Sequence, residues 1–121
     1  MTPTEGAIAV VDDDVAVCQS TRFLLETSDF EVHTYQSGAA FLCDNPVIAG
    51  LIVDYHMPVL NGLEVVSELR QRGRLTRTII MITATTDPEV ERHAAELGIT
   101  VLRKPLSNQV LLRAVRGEEK Q

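Results

Sequence analysis

The chain has 121 residues, 45% hydrophobic and 23% charged, with a net charge of -6 and two cysteines. That length holds one ordinary core without disulfides or a structural metal, and no apolar run is long enough to span a bilayer. The acidic balance argues against nonspecific nucleic-acid binding by the domain itself, which would need a basic surface.

A single domain is predicted over 1–121, its core over about 7–116, with a tail or the start of a linker over 117–121. The opening MTPTEGA lacks the basic and apolar regions of a secretory signal, so the cytoplasm is the expected compartment and no membrane contact is expected. Cys18 and Cys43 show no CxxC spacing and no Cys/His cluster surrounds them, so both read as small core residues.

The apolar run AIAVV (7–11) predicts a first strand, followed by a helix capped by Asp14 and reaching about Ser28, with Val17, Thr21, Leu24, Leu25 and Ser28 facing inward. EVHTY (31–35) reads as an edge strand. Ser37 caps a short helix through about Asp44, which Pro46 stops. GLIVD (50–54) is the third strand, and HMPVLNG forms a loop before a helix near 62–72 carrying Leu63, Val66 and Leu69 inward.

TIIMIT (78–83) is the fourth strand. The next helix is marked by Asp87 as N-cap, Pro88 at its first position and Gly98 beyond its end. TVLR (100–103) is a short fifth strand, KP a turn, and Ser107 the cap of a last helix with Val110, Leu111, Ala114 and Val115 inward. Short, nearly all-apolar strands alternating with helices predict an α/β doubly wound parallel sheet, whose ligand crevice lies at the carboxyl ends of the strands. The glycine signatures of nucleotide cradles, GxGxxG and GxxxxGK[ST], are missing.

In a parallel sheet the strand ends share one crevice. It would receive Asp12 and Asp13 from the first strand, Asp54 from the third, Thr83 from the fourth and Lys104 after the fifth. Carboxylates at this density suit Mg²⁺, a hard cation that keeps several waters and coordinates phosphate oxygens. An ionised Asp54 beside it could attack phosphorus while the metal, Lys104 and Thr83 neutralise the phosphoryl oxygens. Asp14 is explained by helix capping; His33 and His93 lie away from the crevice and read as structural.

VVDDD, LIVDYHMPVLNG, MITA and RKP, in this order and spacing, resemble the receiver domain of two-component response regulators over about residues 7–116. The resemblance implies a flavodoxin-like (βα)5 fold with strand order 2-1-3-4-5. It further implies that Asp54 accepts a phosphoryl group from a histidine kinase or a histidine phosphotransfer protein. Asp13, Asp54 and the backbone carbonyl of His56 would bind Mg²⁺ or Mn²⁺, with Asp12 acting largely through water. Thr83 and Lys104 would grip the phosphoryl group, the Lys104–Pro105 bond would be cis, and His56 and Thr85 would flank the pocket.

One position departs from the family pattern. Three residues before its lysine the family usually carries a Tyr or Phe that swings inward with the threonine; here it is Val101, stiff and without a ring. The expected function is therefore a phosphorylation-controlled signalling domain that catalyses only its own phosphorylation and dephosphorylation, passing output to a partner or to a homodimer through the last two helices. The run from MITA to RKP also looks like receivers of transcriptional regulators.

Two rivals differ in class. A pseudo-receiver would only bind a partner. A phosphatase of the haloacid dehalogenase type also joins Asp, Thr, Lys and Mg²⁺, but it needs a DxD motif where this chain has DYH, with His56 in place of the second acid.

Overall fold

The computed structural model describes residues 6–74 and 76–117; of the predicted tail over 117–121, residues 118–121 lie outside them. Strands β1 (Ala7–Val11), β2 (Val32–Tyr35), β3 (Ile48–Asp54), β4 (Thr78–Thr83) and β5 (Thr100–Arg103) alternate with helices α1 (Val15–Glu26), α2 (Gly38–Asp44), α3 (Gly62–Gln71), α4 (Pro88–Glu96) and α5 (Asn108–Val115). All strand pairs are parallel, in the order β2-β1-β3-β4-β5. This is the predicted flavodoxin-like arrangement.

Alternation along the strands divides the core into two layers. Ile8, Val10, Ile52, Ile80 and Leu102 face α1 and α5, where Cys18, Leu25, Leu111, Ala114 and Val115 meet them. Ala9, Val11, Leu51, Val53 and Met81 face the other way, against Phe41, Leu63, Val66 and Leu69 of α2 and α3 and Val90 and Ala94 of α4. Residues one apart on a strand point to opposite faces, so a strand covered on both sides is apolar throughout.

Helix starts follow side-chain chemistry. Asp14, Ser37, Asp87 and Ser107 each accept a backbone N–H of the first turn, and Asn61 with Glu64 forms a reciprocal capping box on α3. Three boundaries shift from the predicted ones. Helix α1 ends at Glu26 rather than Ser28, because Asp29 turns to a φ of 69° and the Phe30 N–H closes onto the Leu25 carbonyl. Strand β2 starts one residue late, at Val32, and β3 starts at Ile48, drawn in by pairing with Ala7 across an irregularity in register.

Two side-chain expectations also change. The inward face of α1 centres on Cys18, Thr21 and Leu25, whereas Val17, Leu24 and Ser28 are half-buried. Cys43 is exposed on α2, so only Cys18 is a core cysteine. A strict stripe cannot be read from an α1 sequence in which apolar residues occur on more than one side.

Candidate functional site

The convergence required of the strand ends is present. One carboxylate oxygen from each of Asp12, Asp13 and Asp54 lies within 4.8 Å of the others. Asp54, the last residue of β3, is only 4% exposed, Asp12 is 6% exposed, and Asp13 stands open to solvent. Thr83, ending β4, is fully buried. Lys104 reaches in from the segment after β5, its Nζ 3.0 Å from Asp54 Oδ1.

That lysine contact is an ion pair without the alignment of a hydrogen bond, and Asp54 Oδ1 is left buried with no hydrogen-bond donor. A buried carboxylate oxygen without a donor is costly. Such an atom, on a carboxylate grouped with two others, is the mark of a place for a hard cation or an electrophile. The three acids fit Mg²⁺ or Mn²⁺ by donor type.

Asp12 is held more firmly than its neighbours. Its N–H donates to the Tyr35 carbonyl, its Oδ1 accepts the Asp14 N–H at 2.9 Å, and its carbonyl accepts the Cys18 thiol at 3.2 Å. Burial pushes its carboxyl up to about 6, and the charges of Asp54 and Asp13 push the same way, against the Asp14 N–H and Lys104. The site therefore resists its own negative charge.

Thr83 and Lys104 are also joined through the main chain, the Lys104 N–H donating to the Thr83 carbonyl at 3.0 Å. The Lys104–Pro105 bond is cis. His56 is exposed in the β3–α3 loop, its ring edge-on to Tyr55 with centroids 4.8 Å apart. Val101 is half-buried opposite Met81 on β5, packed into the α2–α4 core layer.

Two contributors escaped sequence reading. Gly62 read only as the end of the HMPVLNG loop, yet a Cβ there would lie 2.9 Å from the Asp54 carbonyl and 3.1 Å from Met81 Sδ, so α3 can seat against β3 only through a glycine. Cys18 read as filler, yet its thiol is shared between the carbonyls of Asp12 and Tyr35. A glycine opening a helix just after the strand-end Asp is a usable signal for the first; nothing in the sequence signals the second.

The pattern for the response regulator receiver domain matches residues 8–116. The chain belongs to this family. Among curated relatives, the transcriptional regulatory protein FixJ of Azorhizobium caulinodans is 39% identical over 118 residues, covering 95% of this chain and 56% of the relative. The receiver thus spans about half the length of the curated relatives it matches. Among solved structures, the chemotaxis protein CheY4 of Vibrio cholerae superposes with a TM-score of 0.84 at 27% identity, covering 94% of this chain and 98% of that one. The BeF3-activated DrrB receiver domain superposes with a TM-score of 0.81 at 27% identity, covering 93% and 96%. As a two-component receiver the chain is a signalling protein rather than a conventional enzyme. Among the described residues no helix is long and apolar enough to cross a membrane.

Proposed function

We propose that this receiver takes a phosphoryl group onto Asp54 from the phosphohistidine of a sensor histidine kinase or a histidine phosphotransfer protein. The observation that carries the reading is Asp54 Oδ1, buried and, among the described residues, without a hydrogen-bond donor and paired with Lys104 alone. A carboxylate in that condition is a nucleophile held ready. Its oxygen attacks phosphorus in line, the P–N bond to the donor imidazole breaks, and the electron pair leaves with the ring nitrogen.

Asp12, Asp13, Asp54 and the backbone carbonyl of His56 would hold Mg²⁺ or Mn²⁺, which supplies charge neutralisation for the phosphoryl oxygens. Lys104 takes a second share of that charge and Thr83 donates its hydroxyl. The same groups turn water onto the acyl phosphate for hydrolysis, so the only chemistry is the domain's own phosphorylation and dephosphorylation. The reaction belongs in the cytoplasm, where the phosphodonor's histidine is presented.

The remaining length of the FixJ relative and its description as a transcriptional regulatory protein support an output domain beyond this receiver. Output then passes through the surface of α4, β5 and α5, as a homodimer contact, with the receiver itself making no contact with nucleic acid. Incubation with phosphoramidate or acetyl phosphate and Mg²⁺, read by intact mass, should add one phosphoryl group to the wild type and none to Asp54→Asn. No gain from either donor would leave the chain a partner-binding pseudo-receiver.

A further inference from the structure

Three polar atoms of Asp12 are held within the fold. Its N–H donates to the Tyr35 carbonyl at 3.0 Å, and its Oδ1 accepts the Asp14 N–H at 2.9 Å. Both are local bonds of a strand end turning into a helix. The third comes from a side chain on another element: the buried Asp12 carbonyl accepts the Cys18 thiol at 3.2 Å, and the same sulfur lies 3.6 Å from the Tyr35 carbonyl. Cys18 stands in the first turn of α1 and is 3% exposed.

That third bond governs more than one atom. A peptide unit is planar, so an oxygen held in place fixes the whole Asp12–Asp13 plane and the Cα that carries the Asp13 side chain. Asp13 is exposed, and its direction is set by that plane. Yet it keeps a carboxylate oxygen within 4.8 Å of those of Asp12 and Asp54, against their like charge. Among the described residues no backbone N–H reaches the Asp12 carbonyl, so the thiol is the donor that satisfies it, as a buried carbonyl requires. A thiol suits the place: it packs as a small apolar body beside Ile8, Val10 and Leu25 and still offers one hydrogen. We infer that Cys18 is a positioning residue for the cation site, its thiol fixing the peptide from which Asp12 and Asp13 approach Asp54. The inference rests on the cation reading proposed above.

The test uses Mn²⁺ and the full chain. Free ion is counted by electron paramagnetic resonance, and the carbonyl ¹³C shift of Asp12 is read by NMR before metal is added. Cys18→Val keeps the bulk of the side chain and removes the donor. It should weaken Mn²⁺ binding about threefold, the loss expected of one weak hydrogen bond, and move the Asp12 carbonyl signal upfield. Cys18→Ala makes the same test without a branched side chain. Cys18→Ser keeps a donor and should return both readings toward wild type. Leu25→Val, further along α1 in the same core layer, should lower the melting temperature and leave both readings where they were. Wild-type Mn²⁺ affinity in folded Cys18→Val or Cys18→Ala, a Cys18→Ser protein that behaves like them, or an equal loss of affinity in Leu25→Val overturns the inference while the cation site stands. Failure of the wild type to bind Mn²⁺ overturns the cation site, and this inference with it.

Discussion

At the amino end of the sheet the long cations terminate on carbonyls. Arg72 donates to the Leu42 carbonyl at 2.9 Å, Arg74 to the Pro46 carbonyl at 2.9 Å, and the Thr76 hydroxyl to the carbonyls of Ile48 and Ala49. At the carboxyl end, three acids crowd one another, Asp54 Oδ1 has no donor and Asp12 is pushed toward neutrality. The β3–α3 loop beside them adds backbone strain: Val59 sits at a φ of 71° inside a γ-turn closed by the Leu60 N–H on the Pro58 carbonyl, its side chain 94% exposed. A β-branched residue in that conformation is a true outlier. Among the described residues one end is satisfied and serves stability; the other carries a cost that, on the proposed function, a bound cation would relieve.

The sharpest way to break this contrast is to fill the seam between α3 and β3. Gly62→Ala should cost roughly 3 kcal/mol of stability by overpacking against the Asp54 carbonyl, and should slow phosphorylation as Asp54 shifts. Denaturant unfolding and the rate of mass gain would check the two effects together.

A smaller change tests whether the acids oppose the fold. Asp12 has a native value of about 6 against 3.8 for the free side chain, so the native protein binds the extra proton between those values. Stability without a divalent cation should therefore fall as pH rises through that window, and Asp12→Asn should flatten the fall and gain roughly 2 kcal/mol at pH 7. With Mg²⁺ added the order reverses, since only the wild type is stabilised by binding. Thermal unfolding at pH 4 to 7, with and without Mg²⁺, reads all of these.

The smallest effects compare the two ends directly. Val59→Gly should gain about 1 kcal/mol by removing a left-handed β-branched residue. Arg74→Ala should lose about 1 kcal/mol with its carbonyl contacts, and should leave Mg²⁺ affinity unchanged. Equal losses from both substitutions would abolish the distinction between a strained end and a satisfied one.

How much of this was legible follows from what each signal depends on. The strands were legible because residues buried on both faces must be apolar in an unbroken run, and the helix starts because Asp14, Ser37, Asp87 and Ser107 cap locally. The convergence of Asp12, Asp13, Asp54 and Lys104 was legible because a parallel sheet delivers strand ends to one place, whichever residues lie between. The end of α1 was not, since a non-glycine residue, Asp29, takes the left-handed turn without a glycine to mark it, and the start of β3 was not, since its irregular pairing of Ala7 with Ile48 is a contact distant in sequence. Nor were the roles of Cys18 and Gly62, which are packing relations between α1 or α3 and the strand ends.

By itself, then, the sequence determined the alternating architecture, its caps and the chemistry gathered at the carboxyl ends, because periodicity and side-chain type are local properties. Only the tertiary structure decided how closely Asp12, Asp13 and Asp54 approach, which oxygen is left without a donor, and that the Cys18 thiol reaches the carbonyls of Asp12 and Tyr35. Those depend on distances of a few ångströms between separate segments, and hydrogen bonds and carboxylate repulsion change most steeply over that range.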